Sequence, residues 1–177
     1  IEHFSRINLG NQAAQADILG QSYEYLIKKF ADATNKKAGE FYTPRSVVRL
    51  MINILDPKEG ESIYDPTCGT GGMLTVAEET LQQIAKARGK QIATHLYGQE
   101  ISDETYAICK ADMLLKGDGD AADNIVGGSE HSTLSNDAFR GREFDFMLAN
   151  PPYGKSWKAD LERMGGKGAI KDPRFVI

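Results

Sequence analysis

Ser62-Ile63-Tyr64-Asp65-Pro66-Thr67-Cys68-Gly69-Thr70-Gly71-Gly72 joins a short apolar run to a helical pattern, and the fold is decided there. Ser62-Ile63-Tyr64 reads as a strand. Met73, Leu74, Ala77, Leu81, Ile84 and Ala85 then recur on one side of a helix. Glycine has no Cβ and tolerates positive φ, so a glycine-rich turn between strand and helix lets the backbone approach a ligand closely. A phosphate loop would need G-x-x-x-x-G-K-[ST], and this stretch has no lysine. A dinucleotide fingerprint G-x-G-x-x-G is met only at Gly69 and Gly71, because position 74 is Leu. Asp65 ends the strand just before the glycines. A carboxylate there suits a ligand carrying a positive amino group better than a pyrophosphate.

Downstream, Thr94-His95-Leu96-Tyr97-Gly98-Gln99-Glu100 predicts a second strand, followed by Ser102 as the cap of a crossover helix ending at Lys116 and Gly117. An acid at the tip of the second strand of a βαβ unit is placed to accept from two vicinal ribose hydroxyls, which makes Glu100 a candidate. A surface Glu before a helix is the plainer alternative. Asp118 to Asp123 opens like a calcium loop, but the twelfth position is Ser129 instead of a bidentate Glu, so a solvated acidic turn is expected. Asn124 to Gly128 is a short third strand. Phe144-Asp145-Phe146-Met147-Leu148-Ala149 is a later one, ended by Asn150-Pro151-Pro152-Tyr153. Strands alternating with helices imply a parallel sheet wrapped by helices, with its crevice at the strand C-termini.

Upstream, Asp17 caps a predicted helix whose apolar side is Ile18, Leu19, Tyr23, Leu26, Ile27 and Phe30. Asn35 to Gly39 reads as a connector. Thr43 followed by Pro44 gives a capped helix start, and the helix should run from Arg45 to about Leu55. Val47, Val48, Leu50, Met51, Ile54 and Leu55 are expected inward, with Pro57 as the stop. The expected division is a helical N-terminal segment, 1–38, and a ligand-binding domain, 39–177.

The 177 residues are one domain's worth. There is no long apolar run or signal-peptide pattern, so neither a membrane span nor secretion is expected. Cys68 and Cys109 form no C-x-x-C and the three histidines are scattered, so no metal site is expected. Cys68 has no partner base in sequence, and packing is its expected role. The formal net charge of −4 argues against a free-standing DNA-binding module, since phosphate contacts normally require a basic balance. Basic residues gather modestly at Lys155, Lys158, Arg163, Lys167 and Lys171.

Two consecutive prolines remove two backbone donors and force a stiff, extended exit from the sheet. The exit presents the Asn150 amide oxygen and the Pro151 carbonyl as acceptors for an exocyclic –NH2, and the Tyr153 ring as a stacking surface. Four segments together resemble the modification subunit of type I restriction-modification systems, a family of S-adenosylmethionine-dependent N6-adenine DNA methyltransferases. They are Gly39-Glu40-Phe41-Tyr42-Thr43-Pro44-Arg45, the Asp65–Gly72 turn, Gly98-Gln99-Glu100, and Leu148-Ala149-Asn150-Pro151-Pro152-Tyr153-Gly154.

The resemblance implies a Rossmann-like α/β fold of about seven strands, of which four are placed here, the rest being expected beyond Ile177. It implies S-adenosylmethionine as cofactor, with Glu40, Phe41, Tyr42, Thr43, Pro44 and Arg45 walling its methionine end. Asp65, Gly69, Thr70, Gly71 and Gly72 would hold its amino-acid end and Glu100 its ribose. Asn150, Pro151, Pro152 and Tyr153 become the catalytic set acting on a flipped-out adenine, without a metal. Specificity and restriction subunits are the implied partners, in the cytoplasm. The family's small acidic element after the third strand has no clear match in Gly128–Leu134. N-P-P-Y alone also occurs in enzymes methylating protein glutamine or RNA, and a non-catalytic cofactor-binding module is a further alternative.

Overall fold

The computed structural model describes residues 43–90, 93–115 and 119–175, together with Tyr25, Leu26 and Lys29. Of the helix expected from Asp17 only Tyr25, Leu26 and Lys29 are described, all three helical and exposed, and the boundary near residue 38 lies outside the described residues. The elements run α1 (Arg45–Leu55), β1 (Ser62–Asp65), α2 (Gly72–Ala87), β2 (His95–Glu100), α3 (Asp103–Leu115), α4 (Gly119–Asp123), β3 (Ile125–Gly127), β4 (Phe146–Met147), α5 (Lys158–Arg163) and a 3-10 turn at Pro173–Phe175. The strands form one sheet in the order β3-β2-β1-β4, and every pair is parallel. This is the parallel sheet that the strand and helix pattern predicted, in the Rossmann-like α/β form that the resemblance implied. Chain order reverses between β1 and β4, which makes their C-terminal ends the switch point where such sheets bind ligands.

Strand alternation divides the sheet into two faces. Ile63, Leu96 and Ile125 join a core with Val48 and Ile52 of α1, Leu74, Val76 and Leu81 of α2, and Cys109 and Met113 of α3. Each fully buried aliphatic side chain there contributes roughly 1.5–3 kcal/mol. Tyr64 and Tyr97, in register on adjacent strands, point the other way. They pack against Phe144, stacked on Tyr64 at 4.5 Å, and against Phe139, edge-on to Tyr97 at 5.6 Å. The Arg142 guanidinium sits 4.0 Å above the Tyr97 ring and donates to its hydroxyl. On this face the covering layer is a loop, in contrast to the helices opposite.

Four local expectations are corrected. Helix α1 has the expected bounds, but Thr43 does not cap it. Pro44 occupies the cap position, its carbonyl taking the Val47 and Val48 N–H groups, while the Thr43 hydroxyl accepts from Asn150. Only Val48 and Ile52 of α1 are buried; Val47, Leu50 and Ile54 are 44%, 59% and 72% exposed. The helix lies on α2 along a stripe narrower than its apolar side, and that wide apolar side cannot say which stripe it is. It ends at Asp56, whose φ of 45° is left-handed and whose N–H reaches the Ile52 carbonyl. Asp is among the few non-glycine residues that visit this region, and the α conformation is disfavoured before Pro57.

Strand β4 pairs over Phe146 and Met147 alone. Phe144 has turned to stack on Tyr64, and Asp145 accepts from both the Ser62 N–H and hydroxyl at 2.8 Å. Those contacts end the strand on one side, and on the other the Leu148 N–H still donates to the Tyr64 carbonyl at 2.9 Å before the chain leaves toward the prolines. Finally, residues 119–123 are a short helix, not a solvated turn, because Ala121 and Ala122 enter the core.

Candidate active site

The glycine turn is held by a backbone bond from the Gly71 N–H to the Cys68 carbonyl at 2.8 Å and by two carboxylates. Asp65 ends β1 at 2% exposure and accepts the Thr67 N–H at 3.0 Å. Burial pushes its carboxyl up to about 7; the Thr67 N–H opposes the rise and the negative charge of Glu100 adds to it. A carboxylate in this setting is stabilised by a cation placed beside it. Gly69 (φ 56°) and Gly71 (φ 81°) take left-handed backbone that an L side chain resists. At Gly71 a Cβ would also lie 2.6 Å from Cys109 Sγ, so the turn is packed directly onto α3. Cys68 and Cys109 are both buried. The hydrogen bond to Cys109 and burial raise the Cys68 thiol well above its usual range, which keeps it neutral and fits the expected packing role. Thr70 and Gly72 are half-buried in the turn, and α2 begins at Gly72 with its N-terminus at the crevice.

Glu100 fastens that turn to the next helix. Its Oε2 accepts the Gly69 N–H at 2.8 Å and its Oε1 accepts the Ser102 N–H at 2.8 Å. Each carboxylate oxygen has a further lone pair able to accept a hydroxyl. Ser102 caps α3 loosely, its Oγ 3.4 Å from the Thr105 nitrogen.

Gln99 is a residue the sequence reading missed. It is fully buried, and its carbonyl accepts the Cys68 N–H at 3.0 Å. Its side-chain nitrogen donates to the carbonyls of His131 (3.0 Å) and Asn136 (2.9 Å), and its oxygen accepts the Ala138 N–H (3.1 Å) and the Tyr64 hydroxyl (3.3 Å). One amide thus ties the loop after β3 to β2 and the glycine turn. Thr133 adds a second tie, its hydroxyl donating to the Pro66 carbonyl at 2.5 Å. In sequence it stood as the middle of the Gly98-Gln99-Glu100 segment, an uncharged polar residue inside an apolar strand with no role of its own assigned.

Beyond β4, Asn150 donates from its amide nitrogen to Thr43 Oγ1 at 3.0 Å, leaving the amide oxygen directed away from that bond. Pro151 and Pro152 are exposed, and Tyr153 is 96% exposed. Thr43, expected on the cofactor wall, is therefore joined to the Asn150-Pro151-Pro152-Tyr153 segment. Arg45 pairs with Glu79 of α2 at 3.0 Å and locks α1 onto α2. Glu40, Phe41 and Tyr42 lie outside the described residues. Among the described residues no group of His, Cys, Asp and Glu is placed to hold a metal, and no helix is long and apolar enough to cross a membrane.

The sequence matches the N-6 DNA Methylase family over residues 14–177. It is 36% identical over 163 residues to the type I restriction enzyme MjaIX methylase subunit of Methanocaldococcus jannaschii, covering 90% of this chain and 27% of that one. The EcoEI methylase subunit of Escherichia coli is 32% identical over 158 residues, which is 86% of this chain and 31% of that one. A solved type I restriction-modification system methyltransferase subunit from Streptococcus thermophilus superposes with a TM-score of 0.69 at 33% identity, covering 98% of this chain and 34% of that chain. The chain thus spans between 27% and 34% of the length of these relatives.

Proposed function

The chain belongs to the N-6 DNA methylase family, and from that premise we propose that it forms the cofactor- and amine-binding part of a DNA adenine methyltransferase. Its reaction would move a methyl group from S-adenosylmethionine to the N6 amine of adenine, in the modification subunit of a type I restriction-modification system. The observation that carries the reading is the meeting of two strand ends at the switch point. Strand β1 ends in the buried Asp65, and the adjacent β4 leads into Asn150, whose nitrogen is engaged by Thr43.

The residues fit the cofactor. Asp65 offers a carboxylate that an ammonium group would stabilise, the glycine turn allows close backbone approach, and Glu100 has lone pairs for ribose hydroxyls. The N-terminus of α2 favours a carboxylate. When bound, S-adenosylmethionine supplies a methyl group made electrophilic by its sulfonium. Asn150 Oδ1 and the Pro151 carbonyl would accept hydrogen bonds from the two N–H groups of the target amine, drawing its lone pair out of conjugation. They would also stabilise the positive charge that develops as the N–C bond forms and the S–C bond breaks, with the thioether as leaving group and the surplus N6 proton lost to solvent. Pro152 keeps this exit extended. An adenine must leave the duplex stack to reach them, at a cost of a few kcal/mol. Stacking on the exposed Tyr153 ring would offset about 1–3 kcal/mol of that.

The net charge of −4 supports a division of labour in which a specificity subunit supplies most of the grip on DNA, and a restriction subunit completes the assembly in the cytoplasm. Calorimetric titration with S-adenosylmethionine tests the cofactor half. Binding that Asp65→Ala removes is the expected result, and binding that survives the substitution contradicts the site. Transfer confined to protein glutamine or RNA would select the alternative amino-methyltransferase reading.

A further inference from the structure

The stretch after Tyr153 is held in an unusual way. Neither α5 nor the 3-10 turn at Pro173–Phe175 buries a single residue, so the hydrophobic effect does little to fix them. Among the described residues, a set of polar bonds ties this stretch to the loop that follows β3. Ser135 donates to Asp160 Oδ1 at 2.8 Å, and Arg163 donates to the Ser129 carbonyl at 3.0 Å. The densest anchor is Arg174. Its Nε and Nη2 grip Asp172 at 3.0 and 2.7 Å, Nη1 donates to the Thr133 carbonyl at 2.8 Å, and Nη2 reaches the Leu134 carbonyl at 3.4 Å. Asp137 completes the set with an ion pair at 3.6 Å. Pro173, between Asp172 and Arg174, stiffens the turn that brings carboxylate and guanidinium together. Only a planar five-donor fork can hold a carboxylate on one edge and two carbonyls on the other.

The loop that Arg174 grips is the same loop that hangs from Gln99 and, through Thr133, from Pro66 in the glycine turn. A continuous path therefore runs from the turn, through the loop, to Arg174 and back along the chain to Tyr153. Tyr153 is 96% exposed and Trp157, at the start of α5, is 48% exposed, so neither ring is buried in the core. We propose that Arg174 is a positioning residue for methyl transfer: it locks the segment carrying Tyr153 and Trp157 onto the loop after β3, and so sets the target-base side of the crevice relative to the glycine turn. This inference rests on the proposed function above.

The test uses the full-length protein with its partner subunits, unmethylated plasmid DNA and S-adenosylmethionine. Arg174→Met should lower kcat on DNA roughly tenfold or more, the scale expected when a reacting base is held slightly out of place. Cofactor Kd by calorimetry should change by less than about threefold, equivalent to under 1 kcal/mol. Arg174→Lys should recover part of the rate by restoring the charge without the fork. Asp137→Asn removes the ion pair yet keeps an Oδ1 acceptor for the Phe139 N–H, and a several-fold loss in kcat is expected from it even if Arg174→Met fails to fold. The proposal is overturned if kcat stays within about twofold in these variants, or if cofactor Kd weakens by the same factor as kcat. A wild-type protein that methylates no DNA would overturn the proposed function and this inference together. An active wild type with indifferent Arg174 and Asp137 variants would remove this inference alone.

Discussion

Replacing Asp65 with Asn should make the fold more stable at pH 8 while removing cofactor affinity. The reason lies in where the carboxyl is kept. In the unfolded chain it titrates near 3.8, and in the fold burial lifts it to about 7. Below pH 4 both states hold the proton and the group costs nothing. Between about 4 and 7 the unfolded chain releases the proton while the fold retains it, so stability falls by about 1.4 kcal/mol per pH unit. Above 7 both are ionised and the penalty levels off at roughly 4 kcal/mol, an upper figure because local relaxation softens it. Asparagine keeps the acceptor for the Thr67 N–H and has nothing to ionise, but its amide hydrogens are buried and return about 1–3 kcal/mol of that gain. Urea unfolding of wild type and Asp65→Asn at pH 5, 6, 7 and 8 should show a difference that grows with pH in favour of the variant and flattens above 7. A difference independent of pH, or one that favours wild type increasingly as pH rises, would refute the reasoning.

Further outcomes follow from the same geometry. Gly71→Ala should cost about 2–4 kcal/mol in urea unfolding, combining left-handed backbone with a Cβ set 2.6 Å from Cys109 Sγ. Gly141→Ala, at φ 74° with no atom within 4 Å, should cost only about 1 kcal/mol, and equal losses would show that the clash is relieved by movement. Glu100→Ala should weaken S-adenosylmethionine binding by roughly 1.5–3 kcal/mol, read by calorimetry, the usual scale for hydrogen bonds to a charged group. Gln99→Leu strips partners from two carbonyls, one N–H and a tyrosine hydroxyl. About 3 kcal/mol or more of stability should go, with faster amide exchange at Ala138, and unchanged exchange there would contradict the role given to Gln99.

What could be read from the sequence was the part set by short-range chemistry. Strand, glycine turn, helix, strand and acid are each specified within a few residues by periodicity and by the φ that glycine permits. Their order was enough to foresee a parallel sheet and to place Asp65 and Glu100 at neighbouring strand ends. The missed features are contacts across long stretches of chain. Thr43 looked like a cap because nothing local announces Asn150 as its partner. Asp145 looked like part of a strand until Ser62, 83 residues away, claimed its carboxylate. The apolar side of helix α1, opposite Arg45, Ser46, Arg49 and Asn53, is wider than the stripe it buries, so only the packing on α2 could select Val48 and Ile52. Gln99 has four side-chain partners drawn from two other segments, a network invisible to any pattern along one strand. The five residues of α4 are too few to display a helical period.

The most direct test of the central claim is mass spectrometry of nucleosides from unmethylated DNA incubated with S-adenosylmethionine and the full-length protein, wild type or Asn150→Ala. N6-methyldeoxyadenosine should form with wild type and be absent with Asn150→Ala, while calorimetry shows that the variant still binds the cofactor. Methylation that persists without the Asn150 amide, or methyl groups found in protein or RNA and not in DNA, would contradict it.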